Sequence, residues 1–273
     1  MVELCFGPSS IGHANVTHTL RPQYHTVSLP RSESFLASRR EHDQPALPCN
    51  HFEDMLNLRI WDLPTRLFHW MLVLLVVALI VTAKVGGNAM LWHMRCGYAV
   101  LALLLFRVVW GFAGGHWSRF SSFVFSPRQT WAYVRGHFAA PAGHSPLGAL
   151  SVFALLGTLA AQVVSGLFAD DEIAFSGPLG AWVSSDAVSR ATWYHTEVGQ
   201  PAVIALIVLH LLAIAYYALV RRQVLVRPML TGNKVLEDPR TPASRDHWRS
   251  RLLALVILLA SASLVAWLVQ LTP

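Results

Sequence analysis

Residues 198–220 read VGQPAVIALIVLHLLAIAYYALV, a run without a formal charge whose strongly polar members are Gln200 and His210. A helix needs about 20 predominantly apolar residues to cross the hydrocarbon core of a bilayer. This run meets that length, and an imidazole sits in it. Four more runs of the same kind flank it. Residues 67–83 carry one His and no charge. Residues 91–113 are apolar apart from His93, Arg95 and Arg107. Residues 147–169 hold only Gln162 and small hydroxyls, and residues 252–271 hold two Ser and a terminal Gln. The expectation is an all-α membrane protein with helices over about 66–86, 91–113, 147–169, 198–220 and 252–271. The composition agrees: 54% of the 273 residues are hydrophobic and 13% charged, where soluble domains carry roughly 25% charged residues. Three Cys and a Leu-rich sequence exclude disulfide-scaffold, collagen-like and largely disordered chains.

Loop charges orient the spans, because Lys and Arg concentrate on the cytoplasmic side. Arg59 and Arg66 precede the first span. Arg119, Arg128 and Arg135 follow the second without an acid. Eight basic residues, from Arg221 to Arg251, lie between the fourth and fifth. The opposite side carries Asp170, Asp171, Glu172, Asp186 and Glu197 against Arg190 and Lys84. The basic side is expected in the cytoplasm of a bacterium, with the chain in the inner membrane, its N-terminus cytoplasmic and its C-terminus periplasmic. Residues 1–54 are polar, rich in Pro, Ser and His, and lack the apolar core of a signal peptide. Two readings stay open for them: a disordered cytoplasmic tail, or an upstream stretch preceding a true start at Met55.

The thirteen His divide sharply. Five fall in the tail. Four fall in loops on the basic side (His116, His137, His144, His247), where His144 is expected to be solvated or to cap a helix. Four remain in or at the ends of spans: His69, His93, His195 and His210. An ionisable side chain in a span is costly and marks a functional site by default. Span direction places His69 and His210 toward the basic side, and His93 and His195 toward the acidic side. On an ideal helix the fifteen residues from His195 to His210 span about 22 Å of rise and about 60° of rotation, although Pro201 between them is expected to kink or re-register the helix.

Two imidazoles facing each other from different helices suit the two axial positions of a haem iron, a construction that helical bundles allow. Zinc would need further ligands at each level, and no Cys-x-x-Cys-His for covalent haem attachment occurs. Six-coordinate iron of this kind passes electrons and offers no open position. Gly97 and Gly199 each follow a candidate ligand by four residues. Each leaves room for a flat macrocycle or for close helix packing. The Gly157, Ala161 and Ser165 spacing in the third span suggests a small-residue seam. Arg107, with Arg66 and Arg95 as weaker candidates, pairs with a haem propionate or snorkels to headgroups. The ten Trp, including Trp61, Trp70, Trp92, Trp117 and Trp131, are expected in interfacial belts.

Several stretches resemble one family. These are IWDLPTRLFHW (60–70), WHMRCGY (92–98), FVFSPRQTW (123–131), GHSPLG (143–148), SGLFADD (165–171) and VRPMLTG (226–232). They are similar to the bacterial di-haem cytochrome b-561 family, which includes the b-type subunit of nickel–iron hydrogenases. The resemblance covers about residues 58–234. It implies a four-helix bundle over 55–234 holding two non-covalent b haems, with 235–273 forming a linker and a fifth span outside the core pattern. The four family ligands fall on His69, His93, His195 and His210. The family's outer ligand on the fourth helix is usually followed directly by Glu, whereas here Thr196 intervenes before Glu197.

The implied function is transmembrane electron transfer. It would link a membrane quinone or quinol, or a dehydrogenase or hydrogenase partner, with a periplasmic partner such as a c-type cytochrome. Alternatives are a membrane anchor subunit of a larger oxidoreductase, an oxidoreductase with its own quinol site, and a haem-free scaffold or small transporter. Membrane lipid is an expected partner and nucleic acid is not.

Overall fold

The computed structural model describes residues 56–236, 238 and 240–271. The expected tail, 1–54, lies outside the described residues. Helix α1 (Leu63–Val85) starts where Asp62 accepts the Thr65 N–H and Pro64 occupies the first turn, a position that needs no backbone donor. It stops at Gly86, whose φ of +67° turns the chain into a one-turn 3-10 segment, Gly87–Ala89. Helix α2 (Met90–Ala113) returns antiparallel. A short α3 (Pro127–Val134) begins with a Ser126–Gln129 capping box. Helix α4 (Pro146–Gly166) is capped by Ser145.

The fourth predicted span begins earlier than its apolar run. Helix α5 (Ser185–Trp193), capped by Ser184, passes through a π-helical turn, Tyr194–Gly199, directly into α6 (Gln200–Leu219). The three form one continuous stretch, Ser185–Leu219, of 35 residues. Asp186 and Glu197, expected in a loop, lie on this helix. Helix α7 (Val226–Thr231) ends at Gly232 with φ +86°. Strand β1 (Leu56–Arg59) then pairs antiparallel with β2 (Asn233–Leu236), Arg59 opposite Asn233. Helix α8 (Trp248–Val269) completes the described chain. Among the described residues five helices are long and apolar enough to cross a membrane.

The basic loops, β1–β2, α3 and α7 gather at one end of the helices and the 167–184 loop at the other. These are called the basic and acidic ends below. Helices α1, α2, α4 and α6 close on an aliphatic layer of Val100, Leu104, Leu159, Val163 and Val203, with Leu72, Leu75 and Leu79 against it. Helix α8 lies outside this layer. Its small Ala254 packs on Phe68, Leu103, Phe106 and Trp110. Leucines such as Leu74, Leu212 and Leu259 are exposed on the outer surface, as lipid-facing positions require. Gly157 has nothing within contact distance of a Cβ built on it, so the expected small-residue seam is not closely packed there.

Asp62 ties the basic end together. It is fully buried and accepts from the Thr65 N–H (2.9 Å), Trp110 Nε1 (3.4 Å), the Gly115 N–H (3.2 Å) and Ser118 Oγ (2.7 Å). Arg107 interacts with it electrostatically. Removing one partner of a buried charged cluster strands the others, at about 3–5 kcal/mol. Asp62→Ala is therefore expected to lower stability by about 3–5 kcal/mol, read as loss of the cooperative thermal transition of the detergent-solubilised chain at temperatures the parent survives. Asp62→Asn, which keeps an acceptor oxygen, is expected to lose less.

Candidate functional site

At the acidic end the rings of His93 (α2) and His195 (π-turn) lie 6.2 Å apart, centroid to centroid, and nearly perpendicular. Both line a cavity of about 370 Å³ with Gly97, Tyr98 and Gln162 among its walls. Each imidazole is anchored through Nδ1 to a helix carbonyl: His93 to Leu79 O on α1 at 3.0 Å, His195 to Gln162 O on α4 at 2.9 Å. Two hydroxyls lie beside these bonds, Thr82 Oγ1 at 3.4 Å from His93 Nδ1 and Ser165 Oγ at 3.2 Å from His195 Nδ1. A carbonyl only accepts, so these bonds place the ring proton on Nδ1 and leave the Nε2 lone pair as the ligating position.

The π-turn aims His195. In an α-helix the Pro201 ring would crowd the Glu197 carbonyl and remove a donor. The wide turn falls immediately before it. One extra residue per turn shifts the helix before it by about 100°, so the offset between His195 and His210 moves from about +60° to about −40°. The sequence expectation of a kink or re-registration at Pro201 is met by this turn.

At the basic end His69 (α1) and His210 (α6) are close enough to interact electrostatically. His69 Nδ1 is buried without a hydrogen-bond partner, and its ring stands edge-on to Trp70. The aliphatic layer lies between the two pairs. Leu79, level with His93, is ten residues beyond His69 on α1, about 15 Å of rise. Among the described residues no three His, Cys, Asp or Glu side chains come together as a metal cluster.

The other predicted residues divide. Gly97 lines the cavity, and a Cβ there would meet nothing. Gly199 does not line it. It is buried against α4, where a Cβ would overlap the Gln162 amide. Arg107 is 4% exposed, which excludes snorkelling. Its guanidinium lies 4.8 Å from the Phe120 ring, and Nη1 is buried without a partner. Arg66 donates from Nη1 to Leu230 O, while its Nε is buried and unpartnered. Arg95 lies over Trp92 at the opposite end from these two.

Trp92 and Trp131 are exposed, as an interfacial belt requires, whereas Trp61 and Trp117 are buried. These two pack with Ile60 into a core beside the β1–β2 pair, and Trp117 Nε1 donates to Pro242 O at 2.7 Å. Gln162 and Ser165 were missed as site residues. The signal was present in Gln162, the strongly polar side chain of its span.

On the acidic-end loop, N–H groups of Phe175, Ala174 and Ile173 converge on Asp171 and hold its carboxyl below the ordinary range. Asp170, Glu172 and Glu197 line a recess that shares Asp170, Thr192 and Thr196 with the His93–His195 cavity. His144 is not a solvated loop residue. Its ring packs 4.7 Å from Trp61 and 4.4 Å from Phe123. Burial, with the Arg107 charge beside it, pushes the imidazole down to about 3. An unfolded chain binds a proton that the folded chain refuses, so stability is lost as pH falls below about 6.5. At about 1.4 kcal/mol per pH unit, acidifying to pH 5 costs up to about 2 kcal/mol. His144→Phe is expected to flatten that part of the melting-temperature profile between pH 7 and 5 while leaving the pH 7 to 8 limb unchanged.

The probable Ni/Fe-hydrogenase B-type cytochrome subunit of Azotobacter chroococcum mcd 1 is 26% identical over 217 residues, 66% of this chain and 90% of that protein. The protein of the same description from Azotobacter vinelandii matches to the same extent. That of Rhodobacter capsulatus is 24% identical over 245 residues, 76% of this chain and 93% of its own length. No solved structure matches the chain at a significant level. The family model for prokaryotic cytochrome b561 matches residues 60–232, from the residue before Trp61 to the glycine that ends α7. The chain belongs to the prokaryotic cytochrome b561 family, which makes haem b its cofactor and electron transfer in the membrane its task.

Proposed function

We propose that this chain carries electrons between the two faces of a bacterial inner membrane through two b haems. His93 and His195 would hold one at the acidic end, and His69 and His210 the other at the basic end. The 6.2 Å separation of the His93 and His195 rings carries this reading. That spacing would suit two imidazoles that hold one metal ion between them, with metal–nitrogen bonds of about 2 Å on each side. The Nδ1 bonds to Leu79 O and Gln162 O orient both rings and raise their basicity as ligands. Gly97 keeps the cavity wall flat for a macrocycle. A haem held by His93 and His195 would supply one-electron exchange.

The protein's own groups do the rest. The aliphatic layer between the levels excludes water and ions from the path. The buried, unpartnered Arg107 Nη1 and Arg66 Nε offer positive charge for the propionates of the basic-end haem. The basic end faces the cytoplasm on the positive-inside bias. The acidic recess next to the His93–His195 cavity suits a basic soluble redox protein of the c-type cytochrome class, whose association long-range charge would accelerate. A quinone, or a peripheral dehydrogenase or hydrogenase subunit, supplies or takes the electrons on the other side. The description of the relatives as hydrogenase subunits favours a peripheral subunit over a free-standing carrier.

Haem counting by pyridine haemochrome tests the ligand assignment. The parent chain is expected to hold two haems. His69→Ala or His210→Ala is expected to remove one of them, and His93→Ala or His195→Ala the other. Full haem content in any of the four variants contradicts the assignment, and a parent chain with one haem contradicts the two-site reading.

A further inference from the structure

We infer that Gln162, on a helix that contributes no ligand, is the positioning residue for His195, and that Gly199 exists to seat it. The inference rests on the proposed haem ligation by His195. Residues 162 and 195 hold each other twice. Gln162 Nε2 donates to the His195 carbonyl at 2.9 Å, and His195 Nδ1 meets the Gln162 carbonyl at 2.9 Å. Ser165 Oγ closes the group, donating to Gln162 O at 2.8 Å and lying 3.2 Å from His195 Nδ1. One bond fixes where the ligand's backbone lies and the other fixes which way its ring faces.

The His195 carbonyl is the one that the π-turn makes special. It takes the Gln200 N–H, five residues on, where an α-helix would use Gly199. The Gln162 amide therefore grips the wide turn at its opening. A Cβ at Gly199 would overlap Gln162 Oε1 and approach the Tyr194 ring at 3.1 Å, so the glycine keeps the amide in place. Gln162 Oε1 is itself buried without a partner. An amide retained in an apolar span with half its capacity unused points to a role for the half that is used. Gly199 thus serves the amide of a neighbouring helix, where the sequence suggested a gap for the macrocycle itself.

Ordinary interhelical glue would affect both haems or only the melting temperature. A positioning role affects one haem. The test uses the full chain, purified with its haems, and reads haem content, low-spin ferric EPR signals and a potentiometric titration. Gln162→Met keeps length and removes the amide. It is expected to retain two haems and to shift one EPR signal and one midpoint potential, those that vanish in His93→Ala. Gly199→Ala is expected to lose that same haem, leaving one per chain. Gly199→Ala combined with Gln162→Ala is expected to regain it and to match Gln162→Ala alone, because coupled neighbours are not additive.

Unchanged signals in Gln162→Met, or equal shifts of both haems, overturn the inference. So does a double variant as depleted as Gly199→Ala, since Gly199 would then meet the cofactor directly. His93→Ala with both signals intact overturns the haem assignment itself, whatever the Gln162 variants show.

Discussion

Inside a bilayer every polar group must find its partner within the chain, because hydrocarbon supplies none. Helices meet that demand for the backbone, but each carbonyl keeps a second lone pair. At the acidic end those spare lone pairs do chemical work. Leu79 O on α1 and Gln162 O on α4 each take an imidazole N–H from another helix. A bond that satisfies the membrane also chooses the tautomer and leaves the opposite ring nitrogen bare. The basic end is built differently. Of the buried polar atoms without partners among the described residues, Arg66 Nε, His69 Nδ1, Arg107 Nη1 and His144 Nδ1 belong to it, and Gln162 Oε1 belongs to the acidic end. The acidic-end imidazoles are pre-oriented by protein, whereas the basic end leaves polar atoms of two Arg and two His without partners.

The membrane made much of this legible in the sequence. A bilayer forces a length and an apolarity on each span, so five helices follow from hydropathy. It also makes an imidazole in a span expensive, so four His stand out from thirteen. Where water sets the rules the pattern fails. Ser185–Trp193 is polar and amphipathic, so the extension of the fourth helix beyond the apolar run was invisible. His144, Trp61 and Trp117 lie in loop or boundary segments. The two Trp are buried beside a strand pair whose members lie almost 180 residues apart, a contact with no local signature, and His144 is buried against Trp61 and Phe123. The π-turn was half legible. Pro201 announced an irregularity, but its form depends on a residue of α4.

The fifth helix shows the same dependence on distant contacts. Asp246, just before α8, joins Arg59 at 2.9 Å, Arg251 at 3.0 Å and the Leu63 N–H at the start of α1. Burial works to raise its carboxyl, but the hydrogen bonds from Arg251 and Leu63 prevail and hold it down. Ser244 adds an Oγ bond to Ile60 O and an N–H bond to Arg59 O. The chain that follows the family-matched region thus returns to its first residues, and α8 covers the face of α1 and α2 that the bundle leaves bare. Its small Ala254 lets it approach Trp110 and Phe106 closely.

That placement bears on electron transfer. Phe106, stacked on Trp110 at 5.8 Å, and Phe68 belong to the α1–α2 face under α8. This aromatic cluster and the aliphatic layer meet at Leu72, Leu75 and Leu156, which pack against both. The layer between the pairs is Val and Leu, which has no charge to trap an electron and no polarity to admit water. The nearest acids and bases are displaced to the two ends. A path in the proposed sense needs two oriented pairs about 15–20 Å apart along the helices with a dry medium between them. The dry medium is the feature that the bilayer already imposes on the fold, and the orientation is held by hydrogen bonds at the acidic pair.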